Sequence, residues 1–258
     1  MEFRILGPLE VLDEQHTVRL GAAKQRALLG VLLLHANEAV STTRLVDELW
    51  GERPPATAEK LVQGYVHALR KRLGVDTLVT QAPGYKLLVD PRALDLLEFE
   101  RLTDAARGAE LEEAVELRRR ALSLWRGPPL ADIVLEGPAR HMLGRVSELH
   151  LATQIERIGD ELELGRHLQL NGELESLAAA HPYQERVHAQ LMLALYRSGR
   201  QAEALHAYQI VRRRLSDELG LQPGQQLREL EAAILRQDEA LSNAGDAAPA
   251  QPAHPEAS

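Results

Sequence analysis

The chain has 258 residues and no cysteine, and its 38 acidic against 30 Lys+Arg side chains give a formal net charge of -8. That length fills one or two domains, and 45% hydrophobic with 26% charged residues is the balance of a folded globular protein. The missing thiols exclude disulfide frameworks, thiolate zinc sites and cysteine nucleophiles, while 3% aromatics leave Leu, Ala and Val to build a mainly helical core. Taken whole, the acidic balance argues against a polyanionic partner.

Met1-Glu2-Phe3-Arg4-Ile5 lacks the basic and then apolar pattern of a signal peptide, and the apolar run Ala27–Leu34 is far short of the ~20 residues a membrane span needs. A cytoplasmic protein without a membrane partner is expected. Phe3–Leu20 reads as strands, with a turn at Gly7-Pro8 and a polar hairpin tip at Asp13-Glu14-Gln15. Ala22–Ala36 is apolar around much of its helical circumference, which predicts a buried helix. Ser41 and Thr42 offer N-cap hydroxyls for a short helix ending at Trp50, stopped by Gly51.

A third helix runs from about Thr57 to Leu73. Leu61 or Val62, Tyr65/Val66, Leu69 and Leu73 recur on its inner side, and Gly74 stops it. Lys60, Gln63, His67, Arg70 and Lys71 occupy the opposite face. Leu78-Val79-Thr80 and Tyr85–Val89 then form a hairpin about Pro83-Gly84.

Strands, three helices and a hairpin are the order of a helix-turn-helix with a β-wing. In that arrangement one helix fits the major groove, and its long cationic and amide side chains reach phosphates and base edges. Thr80, Gln81, Tyr85 and Lys86 are candidates on the wing, and Ser41 with Thr42 can turn a helix N-terminus toward a phosphate. The charge by segment agrees. Up to Asp90 there are 11 bases and 11 acids, whereas Pro91–Ser258 holds 19 Arg against 27 acids. Between Lys60 and Lys86, five bases face Asp76 alone.

From Asp95 onward the pattern is helical and broken by Gly and Pro, predicting helices over 98–107, 110–126, 139–164, 167–180, 184–198, 201–218 and 225–240. Gly165-Arg166 recurs as Gly199-Arg200 after 34 residues, the tetratricopeptide period, with Ala204-Leu205 as a small/large packing pair. Trp125, Tyr196 and Tyr208 are read as core. Arg118-Arg119-Arg120 and Arg212-Arg213-Arg214 are read as solvated faces with acids nearby. Residues 243–258 lack the apolar content for a core and are expected to be disordered. The expected fold is mainly α: a winged helix-turn-helix over 1–92 with a small sheet and wing, then tetratricopeptide-like helices over 93–242.

Gln25–Leu29, Leu45-Val46-Asp47-Glu48-Leu49-Trp50-Gly51, Val66–Leu73 and Pro83-Gly84-Tyr85 resemble the winged helix of the OmpR type. More narrowly, with Ala121–Leu130, Gln190–Leu205 and Glu218–Gly224, the chain resembles the Streptomyces antibiotic regulatory protein (SARP) group over roughly Phe3 to Leu241. The resemblance implies a sequence-specific activator of an antibiotic biosynthetic gene cluster. It implies two protomers on direct-repeat duplex DNA and a second domain that engages RNA polymerase and its sigma factor. By the same resemblance Trp50, Lys60 and Arg70 match positions that touch backbone or bases, and His67 a position often basic in relatives.

No P-loop, H-E-x-x-H or G-x-S-x-G motif is present, and the ten histidines are scattered singly, so no catalytic residue, metal site or cofactor is expected. A receiver domain ahead of the winged helix is not expected either, because that helix-and-strand pattern starts at Phe3. The competing readings are a helical-repeat adaptor whose N-terminal part is a scaffold, and a regulator that holds a small-molecule effector.

Overall fold

The computed structural model describes Met1–Glu14 and His16–Ser242; the expectation for 243–258 lies outside the described residues. The chain divides into two compact units, one ending at Gln154 and the other beginning at Ile155.

The first unit opens with β1 (Glu2–Arg4), β2 (Glu10–Asp13) and β3 (His16–Thr17), an antiparallel sheet in that order with Phe3 opposite Val11. Helix α1 (Ala23–Leu34) follows. Its residues Ala27 to Leu34 are all buried, as expected for a helix apolar around much of its circumference. A second sheet, in the order β4-β6-β5, joins β4 (Ala39–Ser41), β5 (Leu78–Gln81) and β6 (Gly84–Leu87). Strand β4 was not anticipated: it is three residues long, too short for alternation to show. Asn37 extends this sheet with its side chain, donating to the Val89 carbonyl at 2.9 Å and accepting the Val89 N–H at 3.0 Å.

Between β4 and β5 lie α2 (Thr42–Trp50) and α3 (Ala58–Leu73). Leu45, Val46 and Leu49 of α2 and Val62, Val66, Leu69 and Leu73 of α3 enter the same core as α1. The structure resolves the ambiguity on α3: Val62 and Val66 turn inward, and Leu61 is exposed.

This unit continues through a 3-10 turn (Pro91–Ala93), α4 (Asp95–Ala106), α5 (Leu111–Ser123) and the first part of α6 (Ala139–Glu163). The Asp95 carboxylate accepts the backbone N–H groups of Ile5, Leu6 and Leu96 at 2.8–2.9 Å, and burial raises its pKa. The segment before α6 runs along the connection between β1 and β2: Arg126 N–H reaches the Leu6 carbonyl, Leu130 N–H that of Ile5, and Asp132 accepts the Leu9 N–H. Trp125 stands edge-on to Phe99, with ring centres 5.4 Å apart, and stacks on His150 at 4.0 Å. Arg118 corrects an expectation, because it is buried and not on a solvated face; Arg119 pairs with Glu116 at 3.0 Å.

The second unit holds the rest of α6, then α7 (His167–Ala180), α8 (Glu185–Arg197), α9 (Gln201–Leu219), α10 (Gln225–Leu235) and a 3-10 turn (Glu239–Leu241). Ile158, Leu174, Val187, Met192, Ala204, Val211 and Ile234 are among its buried core. The 34-residue period appears as repeated geometry. Gly165 and Gly199 both have φ of 75°, and the following Arg166 and Arg200 each donate N–H to the carbonyl five residues earlier, at 2.9 Å. A left-handed glycine closing a helix in this way satisfies terminal carbonyls and turns the chain back for the next helix. Tyr208 is buried, and Tyr196 is half-buried. No described helix is long and apolar enough to cross a membrane.

Candidate nucleic-acid interface

Because Val62, Val66, Leu69 and Leu73 hold one side of α3 in the core, the opposite side is fixed outward. Lys60, Gln63, His67 and Lys71 are all exposed there. The spacing i, i+7, i+11 puts Lys60, His67 and Lys71 within a narrow stripe, and Gln63 lies beside it. The structure therefore brings these four together on one face.

Arg70 belongs elsewhere. It is half-buried, and its guanidinium donates from Nε to the Leu78 carbonyl at 2.7 Å and from Nη2 to Thr80 Oγ1 at 2.8 Å. The same group lies 5.9 Å from the centre of the Tyr85 ring, which β5–β6 pairing sets directly across from Thr80. Arg70 thus ties α3 to both strands of the wing. Thr80 and Gln81 are exposed, while Tyr85 and Lys86 are half-buried.

The wing is also fixed to the start of α2. Ser41 pairs with Gly84, and a Cβ on Gly84 would lie 2.0 Å from the Val40 carbonyl oxygen, so only glycine fits this crossing. Thr42 N–H donates to the Pro83 carbonyl at 3.3 Å. Ser41 is the N-cap, its Oγ accepting the Arg44 N–H at 3.2 Å. The Ser41 hydroxyl expected to face a phosphate thus caps α2, and the Thr42 amide joins α2 to the wing turn.

Trp50 closes α2, half-buried and stacked on Tyr65 of α3, with ring centres 6.5 Å apart. Lys24 of α1 donates to the Leu49 carbonyl and stands 5.9 Å from the Trp50 ring centre. Its role was not foreseen, because no spacing links position 24 to the end of α2. Arg72 likewise turns away from the stripe and donates to the Arg19 carbonyl. Among the described residues no group of three or more His, Asp or Glu is arranged to hold a metal ion.

Two family models match the chain in succession: "Transcriptional regulatory protein, C terminal" over residues 15–87 and "Bacterial transcriptional activator domain" over 94–235. The chain is 40% identical to the regulatory protein AfsR of Streptomyces griseus across 95% of its own length, and it spans about a quarter of that relative (26%). With the regulatory protein DnrI of Streptomyces peucetius it shares 37% identity over 97% of both chains. A solved structure of Mycobacterium tuberculosis EmbR, in complex with a low-affinity phosphopeptide, superposes with a TM-score of 0.87 at 35% identity, covering 92% of this chain and 65% of that one. On these matches the chain belongs to the Streptomyces antibiotic regulatory protein family of transcriptional regulators.

Proposed function

We propose that the chain is a sequence-specific DNA-binding activator, a binding protein and not an enzyme, that switches on a secondary-metabolite gene cluster. In this reading residues 1–92 bind duplex DNA, and residues 93–242 engage RNA polymerase and its sigma factor. Two protomers sit on direct-repeat half-sites, and the protein works in the cytoplasm on the nucleoid. The observation that carries the reading is the outward stripe of Lys60, Gln63, His67 and Lys71 on α3, beside a wing that Arg70 locks in place. Lys60 and Lys71 serve as phosphate contacts, Gln63 and His67 face base edges, and Thr80, Gln81 and Lys86 meet the backbone flanking the groove. Trp50, Tyr85 and Arg70 act mainly by setting the angle of these elements. Ser41 and Thr42 meet DNA only through whatever capacity their internal bonds leave.

Selection of duplexes from a random-sequence library by the full chain, followed by mobility shift, tests this. The selected duplex should bind at least about 10³-fold tighter than an unrelated one. Equal affinity for both, or binding to neither, overturns the reading.

A further inference from the structure

Five glycines lie inside helices of the described residues. A Cβ at Gly30 would press on Leu130 at 3.1 Å, and one at Gly159 on Gln190 at 3.3 Å, so packing explains those two. At Gly64, Gly144 and Gly172 a Cβ would meet nothing within 4 Å, and all three are exposed. Glycine inside a helix is destabilising relative to alanine, and no packing contact among the described residues accounts for it at these positions. Gly64 alone of the three lies in the outward face of α3. It stands one turn from Lys60 and one turn from His67, next to Gln63 and in line with Lys71.

We propose that Gly64 is the point where the backbone of α3 comes closest to the base-pair edges of the major groove, and that it sets affinity and base choice there. The inference rests on the DNA-binding reading above. Lys60 and Lys71 are about 16 Å apart along the axis at ~1.5 Å per residue, and their flexible stems reach outward to phosphates at both ends. Between them the helix surface itself must meet the groove floor. Omitting the Cβ lets that surface approach by about 1.5 Å, the length of the missing bond. Gln63 and His67, on either side of the notch, are then brought within reach of donors and acceptors on the bases. A side chain at position 64 would hold the whole face off the groove.

The test compares G64A with G172A in the full chain. Gly172 is an exposed helical glycine in the second unit, outside this face. Both variants should melt about 1–4 °C above the wild type. Only G64A should bind the wild-type-selected duplex more weakly, by at least about fivefold, and a repeat selection with it should change the preferred base at one or two positions. A G64A protein that is stabilised yet keeps wild-type affinity and the same preferred sequence overturns the role of Gly64 and leaves the DNA-binding reading standing. A wild type that selects no duplex overturns both.

Discussion

Both carboxylate oxygens of Glu48, a residue wholly buried on α2, accept the backbone N–H of Ala139 at the start of α6, at 3.0 and 2.9 Å. The Glu136 N–H adds a bond to the Glu48 carbonyl at 3.0 Å, and Arg44 Nε lies 3.6 Å from the same carboxylate. A negative group at a helix N-terminus is favourable in itself, and here it joins α2, against which α3 rests, to a segment 91 residues away.

Replacing Glu48 by Ala leaves the Ala139 N–H buried and unmet. The expected loss is about 1–3 kcal/mol in denaturant unfolding, with a smaller loss for Glu48→Gln, which keeps one acceptor. Equal stability of E48A and the wild type would show that the contact is not a structural tie.

Arg70 and Lys71 are adjacent in sequence but should behave differently. Arg70→Ala removes two hydrogen bonds to the wing, so it should lower the melting temperature as well as DNA affinity, and Arg70→Lys should restore neither in full, because an ammonium cannot reproduce the fork. Lys71→Ala should weaken DNA binding with an unchanged melting temperature. Parallel melting and mobility-shift measurements on the three variants separate these roles.

His35, at the end of α1, is buried with Nε2 unpartnered. Burial, reinforced by Arg44, lowers its pKa, and Glu38 only partly offsets this. The unfolded chain therefore binds this proton more readily than the folded one. Stability from this group is complete above the unfolded value of ~6.5 and is lost as pH falls from there toward the lowered folded value. Thermal melts between pH 5 and 8 should show stability falling with acid, and His35→Leu should flatten part of that slope. An unchanged slope in H35L would assign the acid sensitivity to other groups.

In the second unit Arg157 is buried on α6 and pairs with Glu161 at 2.9 Å and with Glu173 of α7. Truncating Arg157 removes a buried cation from beside the buried Glu161 carboxylate. Arg157→Ala should cost about 3–5 kcal/mol in equilibrium unfolding, far more than Arg212→Ala on the exposed face of α9. Comparable costs for the two would contradict a buried role for Arg157.

Much of the fold was legible because its signals are periodic. The inward spacing of Val62, Val66, Leu69 and Leu73 also defines the outward face of α3, so Lys60, Gln63, His67 and Lys71 could be grouped from the sequence. The glycine stops at 165 and 199 marked the helical repeat with its correct period. The parts that stayed hidden depend on partners distant in the chain. Nothing near Glu48 signals Ala139, nothing near Lys24 signals Leu49 and Trp50, and Arg118 looks like its solvated neighbours until α5 is packed. A helical wheel places Arg70 at the edge of the stripe, and only the wing strands decide which way its guanidinium turns.

The salt dependence of duplex binding tests the central claim most directly. If α3 meets phosphates through Lys60 and Lys71, the logarithm of the binding constant for the wild type should fall steeply with the logarithm of salt. The double variant K60A/K71A should then show a slope reduced by about 2, roughly one per lost contact, on selected and unrelated duplexes alike. An unchanged slope and affinity in the double variant would contradict the assignment of this face to DNA.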